Sequence, residues 1–156
     1  MPDREDKPVT ALAFDFGIRH IGTAVGQTLT GTGRPLVVLK ARDGQPDWLA
    51  LSNLLDEWRP AVLLVGLPLN MDDSESEFSA RARKFARRLH GRFGLPVKMV
   101  DERLSTREAK ERDGALRKNS RSRDSRASYR KEPVDNLAAQ VILEAWLADR
   151  DCGRAP

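Results

Sequence analysis

Four acids occupy positions where a carboxylate could do chemistry. Asp15 lies in AFDFGIRHIG (residues 13–22), between two phenylalanines in a stretch that reads as a buried strand. A buried, unpartnered carboxylate is destabilising by an amount on the order of several kcal/mol, so Asp15 needs a partner from elsewhere in the chain. Asp101 and Glu102 follow the apolar run PVKMV, and Asp135 falls in the first turn of a helix that opens at Pro133. In open α/β sheets, ligand sites gather where strands end and loops begin. Acids delivered there from three distant segments repel one another, and a divalent cation would relieve that repulsion. Mg²⁺ or Mn²⁺ suits such a site, because both prefer carboxylate oxygens and retained waters. With one cysteine, Cys152, the chain has no thiolate zinc site and no disulfide framework.

Each acid also has an ordinary role open to it. Asp135 would favour the helix dipole wherever that helix sits, and Asp101 could end a strand or pair with Arg103. Neighbouring strand residues face opposite ways, so Asp101 and Glu102 cannot both face a metal if the strand continues that far. Asp101 shares parity with Val97 and Met99, and Glu102 shares it with Lys98 and Val100. The pattern leaves both open. Gly17 and Gly22, close to Asp15 in sequence, are candidates for close approach of a phosphate to the backbone. Arg19 and Arg103 are candidates for holding a phosphate oxygen. His20 and His90 read as structural, and the three tryptophans read as core.

Charge distribution narrows the partner. The chain has 156 residues and a net charge of +4, but residues 78–93 hold six Arg/Lys and no acid. Residues 117–132 hold seven Arg/Lys against Asp124 and Glu132. These segments carry +6 and +5, which leaves −7 for the remainder. Basic segments beside an acidic remainder suit a polyanion, with Arg81, Lys84, Arg88, Arg117, Lys118 and Arg121 as candidate nucleic-acid contacts. No apolar run approaches the roughly 20 residues of a membrane span, so a cytoplasmic protein without a membrane partner is expected.

These residues need a scaffold. TALAFDF predicts a buried strand, HIGTAVGQ its hairpin partner and RPLVVLKA a third strand. Trp48, Leu51, Leu55 and Trp58 predict an amphipathic helix between prolines, and AVLLVG a central parallel strand. After the loop LPLNMDDSES, Ser76 or Ser79 would cap a helix burying Phe78, Ala82, Phe85, Leu89 and Phe93. PVKMV predicts another strand, Ser105 and Glu108 a capping box, and Pro133 the start of a helix burying Val134, Leu137, Ala138, Val141, Ile142 and Ala145. The order β-β-β-α-β-α-β-α-α is an α/β arrangement. It suggests an RNase H-like fold, a mixed five-stranded sheet of three antiparallel strands followed by parallel ones, with helices on both faces. One domain is expected over 9–149, with a mobile basic segment at about 114–132 and flexible ends at 1–8 and 150–156.

Four segments together resemble the YqgF family, bacterial RNase H-like proteins named as Holliday junction resolvases or pre-16S rRNA nucleases. They are FDFGIRHIGTAVG (14–26), VGLPLNMD (65–72), DERLSTREA (101–109) and VDNLAAQVILEAWL (134–147). The resemblance spans nearly the whole chain in order; it departs locally at Asp73, where a small residue is expected. It implies a catalytic metal site of Asp15, Glu102 and Asp135, and phosphodiester hydrolysis with Mg²⁺ or Mn²⁺. The implied task is processing of the 5′ end of pre-16S rRNA in ribosome biogenesis by a monomer or weak homodimer. The alternatives are a homodimeric Holliday junction resolvase acting on branched DNA, and a nucleic-acid-binding module that does not cut. A phosphotransferase related to actin-like ATPases would need a second domain to close over its nucleotide.

Overall fold

The computed structural model describes residues 8–102 and 133–156, and for 133–136 the backbone alone. The elements are β1 (Thr10–Asp15), β2 (His20–Gln27), β3 (Gly33–Arg42), β4 (Gln45–Pro46), α1 (Trp48–Trp58), β5 (Val62–Leu67), α2 (Glu77–Phe93), β6 (Val97–Asp101) and α3 (Pro133–Ala148). The described strands form one six-stranded sheet in the order β4-β3-β2-β1-β5-β6. β1 runs antiparallel to β2 and parallel to β5, and β6 runs parallel to β5. The sixth strand is the two-residue β4, which pairs with Ala41 and Arg42 at the end of β3. Its connection is the turn Asp43–Gly44, with φ of 52° and 82°. Two consecutive left-handed residues are what a two-residue hairpin turn requires.

Side-chain alternation along β1 divides the core in two. Leu12, Phe14 and Phe16 pack with Leu51 and Leu55 of α1 and Phe85 and Leu89 of α2. Ala11 and Ala13 point the other way and pack with Ile142, Leu143 and Trp146 of α3. Helices therefore cover both faces, as the order of elements predicts. Small residues under α3 bring it close to the sheet. A Cβ added to Gly33 would stand 2.7 Å from Leu143 Cδ2. In that gap Gln140 Nε2 donates to the Gly33 carbonyl at 3.0 Å, and the Gly33 N–H donates to Glu144 Oε2 at 3.0 Å. Asp47 caps α1 by accepting from the Leu49 N–H at 3.1 Å. Ser76 caps α2, and Ser79 answers it in a reciprocal capping box, so both serines act.

Residues 150–156, expected as a free end, form a 3₁₀ turn at Arg150–Cys152 and then run beside β6. Met99 N–H donates to Arg154 O at 2.7 Å and Arg154 N–H to Met99 O at 2.8 Å. β6 is an edge strand whose outer backbone groups need partners, and the tail supplies two. Trp146 is core at 5% exposure, whereas Trp48 and Trp58 are half-buried. The guanidinium of Arg92 lies 4.0 Å from the Trp48 ring centre, and that of Arg34 5.1 Å from Trp58. These two rings are thus platforms for cations as well as core. The Ser105–Glu108 box and the basic segment at 114–132 lie outside the described residues. Among the described residues no helix is long and apolar enough to cross a membrane.

Candidate active site

Asp15 is the last residue of β1, and its parity with Ala11 and Ala13 puts it on the α3 face. Gly22 stands directly opposite it on β2 and contributes no side chain there. Val97 and Met99 of β6 belong to the core under α1 and α2, whereas Val100 belongs to the core under α3. This resolves the alternation that the sequence leaves open. Asp101, the last residue of β6, faces the α1/α2 side, and Glu102, the residue after it, meets Asp15 on the α3 side.

Asp15 and Glu102 meet there, joined by a hydrogen bond between their carboxyl groups. Burial pushes the Glu102 carboxyl above its ordinary range; the bond from Asp15 opposes that shift, and the nearby charge of Asp101 adds to it. Two carboxyls in contact cannot both be charged without penalty, and a bound cation would relieve that penalty. Asp101 is buried on the opposite face, with Arg154 Nη2 at 3.7 Å from its Oδ2.

Gly66 makes room for this pair, and the sequence reading passes over it. A Cβ at Gly66 would stand 2.7 Å from Glu102 Oε2 and 2.7 Å from Ile142 Cδ1. The available signal is a glycine inside the continuous apolar strand VLLVGL, a pattern that marks close approach. Gly17 has a different reason to be glycine. A Cβ there would lie 2.3 Å from the His20 carbonyl oxygen, so the β1–β2 turn itself excludes a side chain.

Asp135 belongs to the first turn of α3, two helical turns ahead of Ile142. Its side chain, like Arg103, Arg117, Lys118 and Arg121, lies outside the description. Among the described residues no three His, Cys, Asp or Glu side chains converge, so the described part of the site is the Asp15–Glu102 pair. Arg19 is exposed in the turn after Asp15, and its carbonyl accepts from Ala41 N–H at 2.7 Å. Arg81, Lys84 and Arg88 lie on α2, on the other side of the sheet from the pair. His20 is exposed, and His90 Nδ1 lies 2.9 Å from the Leu95 carbonyl oxygen at the end of α2.

A mixed sheet of this order, with carboxyls from the end of β1 and from just past β6 meeting on one face, is the scaffold of an RNase H-like protein. The family model described as RuvX, Holliday junction resolvase, matches residues 9–149. The chain belongs to this family, the same one that its motifs resemble under the name YqgF. It is 56% identical over 146 residues to a protein of Azotobacter vinelandii named "Putative pre-16S rRNA nuclease", covering 94% of this chain and 98% of that one. A protein of the same name in Marinobacter nauticus is 51% identical over 150 residues, covering 96% and 99%. Among solved structures, Thermus thermophilus RuvC in complex with a Holliday junction substrate superposes with a TM-score of 0.54 at 18% identity, covering 94% of this chain and 98% of that one. Fowlpox virus resolvase in complex with Holliday junction DNA gives 0.52 at 14% identity, covering 90% and 98%. At such identities the likeness establishes the shared fold.

Proposed function

We propose that the chain is a metal-dependent nuclease that hydrolyses phosphodiester bonds in structured nucleic acid, and that its physiological substrate is the 5′ end of pre-16S rRNA. The contact between Asp15 and Glu102 carries this reading. Two half-buried acids, one ending β1 and one just past β6, are pressed together where charge is disfavoured, and a pure binder of phosphate gains nothing from such an arrangement. The donor set fits a hard divalent cation, since among the described residues it consists of carboxylate oxygens. Asp15, Glu102 and Asp135 would hold Mg²⁺ or Mn²⁺. Bound there, the ion would supply charge neutralisation for the phosphate and a water of lowered pKa.

The rest falls to the chain itself. Asp15 and Glu102 would face the cation as carboxylates. Gly22 leaves space beside Asp15. Arg19 and Arg103 hold the non-bridging oxygens of the scissile phosphate, and Arg117, Lys118 and Arg121 hold backbone phosphates farther away. A protein with this task works in the cytoplasm, as a monomer or weak homodimer. The family name favours a second reading, resolution of four-way DNA junctions, which would need two sites in a symmetric dimer.

The test is cleavage of end-labelled precursor rRNA, single-stranded DNA and a four-way DNA junction with Mg²⁺, Mn²⁺ or EDTA. Metal-dependent cutting of the RNA, lost in Asp15→Asn, is the expected result. Preferential cutting of the junction would move the substrate to DNA, and tight binding without cutting under either metal would leave a binding module.

A further inference from the structure

A second feature lies at the same end of the sheet on its other face. Phe16, the residue after Asp15, helps to floor a cavity of about 130 Å³ bounded by the Asp43–Gly44 turn and by Arg81, Lys84 and Arg88 of α2. These three cations are spaced i, i+3 and i+7 and so share one helix face. Arg81 is fixed in place. Its Nη2 donates to the Asp43 carbonyl at 3.0 Å and to Asp43 Oδ1 at 2.8 Å, so one guanidinium answers the one acid in the lining. Lys84, which is exposed, and the half-buried Arg88 bring the lining to a net charge of +2. Gly44 packs its Cα against the Phe16 ring, where an added Cβ would stand 3.0 Å from Phe16 Cζ.

We infer that this cavity is a second phosphate site, which takes a backbone phosphodiester of the substrate remote from the scissile bond. The inference rests on the nuclease reading for what the substrate is, but it requires only that nucleic acid binds. Asp15 and Phe16 are consecutive and face opposite sides of the sheet. A polyanion occupying both places must therefore round the end of β1, over the turn that carries Arg19. Bent or branched nucleic acid does this more readily than a straight strand, which makes the cavity a reader of shape.

The test is fluorescence anisotropy with full-length protein carrying Asp15→Asn to prevent cutting, using a hairpin RNA and a four-way DNA junction across a range of KCl. Arg88→Ala and Arg87→Ala remove the same charge from adjacent surface positions, but only Arg88 lines the cavity. Arg88→Ala should weaken binding several-fold and Arg87→Ala should leave it nearly unchanged. The double variant Lys84→Ala/Arg88→Ala should lose about ten-fold at 0.1 M KCl and flatten the slope of log K against log salt by roughly 1 to 2. In the cleaving protein the same pair should raise KM with kcat retained. Equal losses for Arg87→Ala and Arg88→Ala would reduce the site to diffuse charge and overturn the inference. Unchanged nucleic-acid binding in the double variant, as expected if the cavity takes only a free nucleotide phosphate, would overturn it too. A wild-type protein that binds through Lys84 and Arg88 but cuts nothing would defeat the nuclease reading and leave the cavity assignment standing.

Discussion

Glu102 makes the metal-free protein less stable than it could be. Its ordinary value is 4.5 and the fold raises it, mainly through burial. The folded protein therefore keeps a proton that the unfolded chain releases. Stability falls as pH rises from about 4.5 through the folded value, because the native state binds more protons over that interval. Asp15 and Asp101 are the acids that act on it among the described residues. Glu102→Gln removes this loss. In EDTA at pH 7 the variant should be more stable than wild type by about 1 kcal/mol by urea denaturation, while cleaving nothing. At pH 4.5 the two should converge. Millimolar Mg²⁺ should raise the melting temperature of wild type and leave Glu102→Gln much less affected, since only an ion bound to the native state stabilises it. A Gln variant less stable than wild type at pH 7 would contradict this account.

At the scale of elements, two glycines govern how β5 and α3 present the acids. Gly66→Ala puts a methyl where Glu102 Oε2 and Ile142 Cδ1 lie at 2.7 Å. Both are ends of flexible side chains, so the fold can yield at a cost of about 1 kcal/mol, but Glu102 cannot yield without leaving Asp15. Activity should fall at least ten-fold with only a small shift in denaturation midpoint. The reverse balance, a large loss of stability with activity retained, would argue against Gly66 as the space-maker. α3 is held to the start of β3 by Gln140 and Glu144, which together satisfy both backbone groups of Gly33. Glu144→Ala leaves that N–H unanswered in a part-buried gap and should cost about 1–3 kcal/mol. Since α3 also carries Asp135, the variant should weaken Mg²⁺-dependent stabilisation as well, which calorimetric titration can read.

For the molecule as a whole, the last residues close the sheet. Residues 153–156 run beside β6, and Arg83 Nη1 donates to the Ala155 carbonyl at 2.8 Å while its Nε and Nη2 engage Glu75. Truncation after Cys152 removes two backbone hydrogen bonds to Met99 and the Arg154 partner of Asp101. The expected loss is about 1–3 kcal/mol, with greater aggregation on heating because an edge strand is exposed. Circular dichroism melts with light scattering would show both, and an unchanged melt would demote the tail to a loose appendage.

Among the described residues, the order of the longer strands and helices, the amphipathic faces and the basic helix were legible, because alternation and helical periodicity are local properties of a chain. TALAFDF could be read as a buried strand, and the acid within it as one that needs a partner. β4 was not legible, since two residues carry no period and pair only because the Asp43–Gly44 turn folds back on β3. The tail was not legible either: its backbone finds partners on β6, a contact that no spacing announces. At the site, the sequence by itself determined that Asp15 could not stand alone and that acids near residues 101, 102 and 135 were available to join it. Alternation left Asp101 and Glu102 both open and the family resemblance pointed to Glu102; it is the tertiary structure that brings Glu102, and not Asp101, to Asp15. That choice depends on which face of β6 lies under α3, and this is set by how Val97, Met99 and Val100 divide between two cores. Gly66 became visible for the same reason, since the space that it leaves exists only once β5, β6 and α3 are packed together.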